Sequence, residues 1–174
     1  MTCLEVALQI RTLHFGEEHE SCADTQQWMG NVLREWGDCD QALPYFTSAL
    51  RIKKAKLGSD HQDVANTMHN LAVVLDELGK YSSSLSCYEQ ALRIRKNIFG
   101  NDHIQIADTL FCIGNVYNAM EEHEKALKHL GESIQIREQL LQKDELHTVV
   151  EEPFINILDK CPESVILKYG KLIE

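Results

Sequence analysis

Apolar side chains recur along this chain at helical spacing. Met68, Leu71, Ala72, Leu75 and Leu78 fall at i, i+3, i+4, i+7 and i+10, one face of an α-helix. Gly79-Lys80 interrupts the stripe, with Gly suited to a left-handed C-terminal cap. A second stripe follows in Leu85, Tyr88, Ala91, Leu92 and Ile98, and Gly100 ends it. No β-branched alternating segments appear, so strands are not expected. The stretch reads as two helices joined by a tight turn.

The pattern then repeats at one offset without a gap. Ala7-Leu8-x-Ile10-Arg11 returns as Ala49-Leu50-x-Ile52-Lys53, as Ala91-Leu92-x-Ile94-Arg95, and more weakly as Ser133-Ile134-x-Ile136-Arg137, each 42 residues on. Gly16, Gly58 and Gly100 keep the register, as do His19, His61 and His103, Ala23, Ala65 and Ala107, and Thr25, Thr67 and Thr109. Such self-similarity marks a repeat protein. The spacing predicts first helices near 22–36, 64–78 and 106–120, and second helices near 39–57, 81–99 and 123–142.

A period near 42 also suits HEAT-like helices and WD40 blades, but blades need strands. Among helical repeats, the placement of small and large residues decides. Met29-Gly30-x-x-Leu33, Leu71-Ala72-x-x-Leu75 and Ile113-Gly114-x-x-Tyr117 put a small residue between large ones in each first helix. Ala42-x-x-x-Phe46-x-x-Ala49, Ser84-x-x-x-Tyr88-x-x-Ala91 and Ala126-x-x-x-Leu130-x-x-Ser133 complement them in the second. Two helices approach closely only where one side chain is small and a large neighbour fills the gap. With these residues the chain resembles tetratricopeptide (TPR) repeats. ALRIRKNIFGNDHIQIADTL and Ala42-Leu43-Pro44-Tyr45-Phe46 look like the long repeats of kinesin light chains and nephrocystin-3-like proteins. The resemblance covers about residues 7–142. It implies an all-α, TPR-type α-solenoid, a right-handed superhelix of antiparallel helix pairs.

The expected organisation is a repeat array over 1–145 and a tail or cap over 146–174. The array comprises a partial repeat at 1–21 and repeats at about 22–63, 64–105 and 106–145. Met1 shares the register of Leu43, so the chain opens inside a second helix, as either a piece of a longer array or a short form capped by its tail. Pro153 is expected to start a short helix near 153–160, with another after Pro162.

Composition narrows the function. A net charge of −10 argues against nucleic acid and anionic lipid as partners. Arg51, Lys53, Lys54 and Lys56, and Arg93, Arg95 and Lys96, fall in the last turns of helices, where they are expected as solvated charges favoured by the macrodipole. No apolar run is long enough for a membrane span. Six dispersed cysteines lack the close pairs of zinc or redox motifs and read as reduced thiols, which suits the cytoplasm. His19, His61 and His103 recur because the unit recurs, too far apart for one metal ion. No phosphate loop, nucleophile turn or convergent carboxylate pair is present. Neither catalysis, a cofactor nor a metal is expected.

The resemblance implies a concave groove lined by first helices, holding a peptide. Projected onto this register, the groove carries Asp24, Gln27, Trp28, Asn31 and Arg34; Asn66, His69, Asn70, Val73 and Asp76; and Asp108, Phe111, Cys112, Asn115 and Asn118. Asn amides can hold the backbone of an extended peptide, and Trp28 and Phe111 are costly to expose without purpose. Related chaperone-binding domains use basic residues where Asp108 and Cys112 stand here. Kinesin light chains take Trp-containing acidic cargo peptides, whereas Arg34 against Asp24, Asp76 and Asp108 favours a neutral or basic segment. The expectation is a non-catalytic adaptor module. The alternatives are a segment of a larger enzymatic or motor-adaptor protein and a structural spacer. Self-association through the uncapped N-terminal end, with Leu4, Ala7 and Leu8 partly uncovered, is a further expectation.

Overall fold

In the computed structural model of the chain, the residues described are 1–141, 156–158 and 160–161. They are helical and form α1 (Thr2–Phe15), α2 (Glu20–Glu35), α3 (Cys39–Leu57), α4 (Gln62–Glu77), α5 (Tyr81–Phe99), α6 (Ile104–Ala119) and α7 (His123–Leu141). No strand occurs among them. The second helices start where the sequence places them. The first helices begin two residues earlier than expected, at 20, 62 and 104. Their N-caps explain the shift. His19, His61 and His103 are extended, and each ring accepts a hydrogen bond from the backbone N–H two residues on, at Ser21, Asp63 and Gln105. An imidazole acceptor thus does the work usually done by Ser or Asp. Phe15 and Phe99 stack on His19 and His103 at 4.7 and 4.1 Å and hold those rings in place.

The chain divides into two compact units, Met1–Ile94 and Arg95–Glu174, with the boundary inside α5. In the first unit α2 packs on α1 and α3, and α3 on α4. Leu33, Cys39, Ala42 and Phe46 share one core with Leu71, Val74 and Leu75. Val64, Ala65 and Met68 of α4 close on Ala91 and Ile94 of α5, and Ser84 Oγ donates to Ala72 O at 2.8 Å. In the second unit α6 packs on α7, and Ser133 Oγ donates to Ala107 O at 2.7 Å. Ala126, Leu127, Leu130 and Ile134 of α7 meet Ile157 and Leu158 of the tail. The helix expected near 153–160 is seen over 156–158, and the segment after Pro162 lies outside the described residues.

The small-and-large complementarity is realised in the packing. A Cβ built on Gly30 would lie 2.7 Å from the Phe46 ring, and one on Gly114 would lie 2.7 Å from Leu130 Cγ. The helices of these pairs meet backbone against side chain, and a methyl group there must push them apart.

The turn inside each pair is a left-handed cap. Gly37 (φ 80°) and Gly79 (φ 70°) fill it in the first unit, closed by Asp38 N–H to Leu33 O and Lys80 N–H to Leu75 O at 2.9 and 2.8 Å. Between α6 and α7 the same turn carries Glu121 at φ 61°, with Glu122 N–H to Tyr117 O at 2.9 Å. A side chain in this region is strained by roughly 1 kcal/mol. Glu121→Gly is therefore expected to stabilise the chain by about 0.5 kcal/mol, after allowing for the freer unfolded chain. Thermal unfolding should show a rise of roughly 2 °C.

Candidate functional site

Asp24, Gln27, Trp28, Asn31 and Arg34 lie along one face of α2, at i, i+3, i+4, i+7 and i+10. Asn66, His69, Asn70, Val73 and Asp76 do the same on α4, which touches α2 within the first unit. Asp108, Phe111, Cys112, Asn115 and Asn118 lie on α6 in the second unit.

The charges on the α2–α4 face are largely spent within the fold. Asp24 Oδ1 is 2.9 Å from Lys53 Nζ, whose side chain is only 5% exposed. Lys53 also donates to Gln27 Oε1 at 3.0 Å. The Thr67 hydroxyl lies 2.8 Å from that oxygen and 2.7 Å from Asp63 O, sharing its single proton. Gln27 thus bridges α2, α3 and α4, and its carbonyl oxygen is committed. Arg34 pairs with Glu77 at 3.2 Å. Glu77 also accepts from the Cys39 thiol at 2.9 Å. Burial first, and then the Glu77 carboxylate, push that thiol up to about 11. Asp76 makes no ion pair among the described residues. Burial and the neighbouring Glu77 hold its carboxyl above the usual range.

Apart from Asp76, what remains open on this face is uncharged. Trp28 is 63% exposed, and Asn31 and Asn70 are half-exposed with no side-chain hydrogen bond among the described residues. His69 is turned edge-on to the Tyr88 ring at 5.2 Å. On α6 the expected exposure of Phe111 is reduced, because it packs against the core of α7 and the tail. Asp108 is neutralised by Arg137 at 2.6 Å. Asn115 and Asn118 are half-exposed. The acidic balance expected from Arg34 against three Asp residues therefore shrinks: in the first unit only Asp76 stays unpaired.

The cations responsible were placed differently by sequence. Arg51 and Arg93 are exposed, as expected, and pair with Glu18 and Asp60 at 2.7 and 2.8 Å. Lys53 and Arg95 are instead buried. They share a column with Arg11 and Arg137, and each member reaches a first helix. Arg11 donates to Ser21 O and Thr25 Oγ1, both at 2.7 Å. Arg95 donates to Gln105 O at 3.1 Å and Thr109 Oγ1 at 2.6 Å. Burial lowers the Arg95 guanidinium from its ordinary range, opposed by Asp108 and Cys112. The two arginines hold threonines fourteen residues ahead directly. Lys53, with one terminal nitrogen and no fork, meets its threonine only through Gln27.

Two clefts of about 210 Å³ lie in matching registers away from these columns. One is lined by Leu8, Thr12, Glu17, Gln26, Ser48 and Arg51; the other includes Lys96, Asn101, Leu110, Glu132 and Gln135.

Two tetratricopeptide repeat profiles match the chain, one at residues 54–97 and 63–139 and the other at 23–63, together more than half of it. No curated protein matches. Among solved structures, BtubC (BKLC) from P. vanneervenii is similar over 98% of this chain, with a TM-score of 0.78 and 19% identity; the chain spans 65% of that protein's length. TPR-like repeats of a Podosopora anserina protein described as a kinesin light chain are similar over 99% of this chain and 81% of theirs, with a TM-score of 0.78 and 16% identity. A singly substituted form of the same repeats gives 0.79. The fold is the TPR-type α-solenoid of kinesin-light-chain-like repeats.

The buried lysine gives a test of the network. Lys53→Met leaves Asp24 and Gln27 without their cation and is expected to cost about 1–3 kcal/mol. Lys53→Arg, which restores the fork of the neighbouring units, should stay close to the parent. Denaturant midpoints distinguish these, and a Met variant as stable as the parent would contradict the network.

Proposed function

Because the chain belongs to the tetratricopeptide repeat family, we propose that its α2–α4 face binds an extended, neutral or basic segment of a partner protein. One observation carries the reading: the fold has neutralised the charges of this face except Asp76, and leaves Trp28, Asn31 and Asn70 uncommitted. Asn31 and Asn70 supply donors and acceptors to a peptide backbone whatever its side chains. Trp28 offers a flat apolar surface or a cation–π partner. Asp76, at the C-terminal end of α4, gains from a cationic side chain set beside it. Asn115 and Asn118 offer the same chemistry on α6 of the second unit. Adapted in this way, the chain holds a partner and performs no chemistry on it. Free cysteines suit a reducing compartment, and we take the cytosol as its place.

The test is a peptide-display selection against the chain, followed by affinity measurement. Neutral or basic peptides are expected. Each good hydrogen bond is worth about 1 kcal/mol, so Asn31→Ala with Asn70→Ala should weaken binding roughly 10- to 100-fold. Acidic peptides, or unchanged affinity in the double variant, would refute the assignment.

A pH series tests the role of Asp76. The carboxylate attracts a basic ligand only when ionised, and its raised pKa means the charge is lost sooner as pH falls. Binding of a basic peptide should therefore weaken on acidification, beginning above the range of an ordinary Asp. In Asp76→Asn this dependence should vanish, as measured by titration calorimetry across about pH 4–7, a range set by the ~3.9 of unperturbed Asp.

A further inference from the structure

We propose that the cleft of the second unit receives an arginine side chain from a partner protein, a guanidinium that the two preceding repeats supply for themselves. Late in α3 and α5 one register carries Arg51 and Arg93. Each pairs with the carboxylate 33 residues before it. Arg51 grips Glu18 through two hydrogen bonds of 2.7 and 2.8 Å, and Arg93 holds Asp60 at 2.8 Å. In α7 the same register holds Gln135, while the carboxylate is kept as Asp102. The acid half of the pair is present in the second unit and its own cation is not.

The two residues concerned border a cavity. Asp102 and Gln135 line the cleft of about 210 Å³, together with Glu132, Lys96, Leu110 and Ile136. Glu132 is a second departure from the repeat, because its register holds Ser48 and Gln90 elsewhere. The unit that loses an arginine therefore also gains a carboxylate. Asp102 and Glu132 form no ion pair among the described residues. Lys96, the cation of this cleft, is exposed and forms none among them either. Two carboxylates against one ammonium leave the cleft negative, on a chain that carries −10 overall. One incoming cation balances it.

The chemistry of the cleft selects arginine. A guanidinium is flat and carries its N–H donors in a fork that matches a carboxylate. One edge serves Asp102 as Arg51 serves Glu18, and the remaining donors meet Glu132 and the amide oxygen of Gln135. Buried Leu110 and half-buried Ile136 offer an apolar wall to the methylene stem. A lysine ammonium has no fork and fits the two carboxylates less well. Open ion pairs are weak singly, so the cleft anchors one side chain of a longer contact. The site lies wholly within the second unit and does not rest on the α2–α4 face.

The test titrates N-acetyl-arginine amide into the isotopically labelled chain at ~0.01 M salt, where charges act over ~30 Å. A Kd of about 1 mM is expected for so small a probe, with backbone amide shifts centred on Asp102, Glu132 and Gln135. N-acetyl-citrulline amide, similar in shape but uncharged, should bind about 10-fold more weakly or worse. N-acetyl-lysine amide should fall between the two. Gln135→Arg restores the pair of the other repeats and should abolish the response while keeping the helical circular dichroism. Asp102→Asn with Glu132→Gln should weaken binding by about 10-fold or more. An undiminished response in either variant would overturn the proposal, as would equal binding of the citrulline compound or shifts confined to α2 and α4. Lysine binding as tightly as arginine would overturn the choice of a guanidinium.

Discussion

The near-contact of Gly30 with the Phe46 ring, and of Gly114 with Leu130, sets the spacing on which everything else in these units depends. A helix pair this close has no room for a side chain between its axes. The apolar residues to either side must therefore interlock, as Leu33, Ala42 and Phe46 do in the first unit and Leu127 and Leu130 do in the second. With one face of each first helix pressed onto its partner, Trp28 stays exposed and Asn31 half-exposed, while Gln27 is drawn in by Lys53 and Thr67. The candidate face follows from the packing and needs no separate device.

The same closeness explains the buried cations. Late in each second helix, the residue after the recurring Ile reaches a first helix. Arg11, Lys53, Arg95 and Arg137 use that reach, and each finds a threonine hydroxyl, a carbonyl, an amide or a carboxylate waiting. Burying a cation is costly unless it is paired and hydrogen-bonded. That requirement accounts for Gln27: where Lys replaces Arg, an added amide oxygen completes the contact. An electrostatic demand inside the fold thus commits Asp24 and Gln27 to internal contacts and leaves Trp28, Asn31 and Asn70 without them.

The fold was readable because packing repeats. A 42-residue register and the alternation of small and large residues are both imprinted by helix contact, and every unit reports them again. The site was readable only in outline, because pairing partners come from other helices. The column that begins with Arg11 was visible as a recurring cation, yet its place in the last turn fits a dipole contact equally well. Its position next to the recurring Ile of the apolar stripe was the signal that it points inward. Glu77 and Phe111 give no such signal, since one is drawn in by Arg34 and Cys39 and the other by residues of the tail. The histidine column was legible as structural, but its capping role depends on an extended backbone that spacing does not reveal.

The central claim is that first-helix faces, and not second-helix faces, meet the partner. Backbone amide shifts of the isotopically labelled chain, followed during titration with a peptide selected for binding, test it most directly. The account predicts that the largest changes fall on α2 and α4 around Trp28, Asn31 and Asn70, with α3 and α5 little affected. Changes concentrated on the exposed side of α3 or α5, around Thr47 and Arg51 or Gln90 and Arg93, would contradict it.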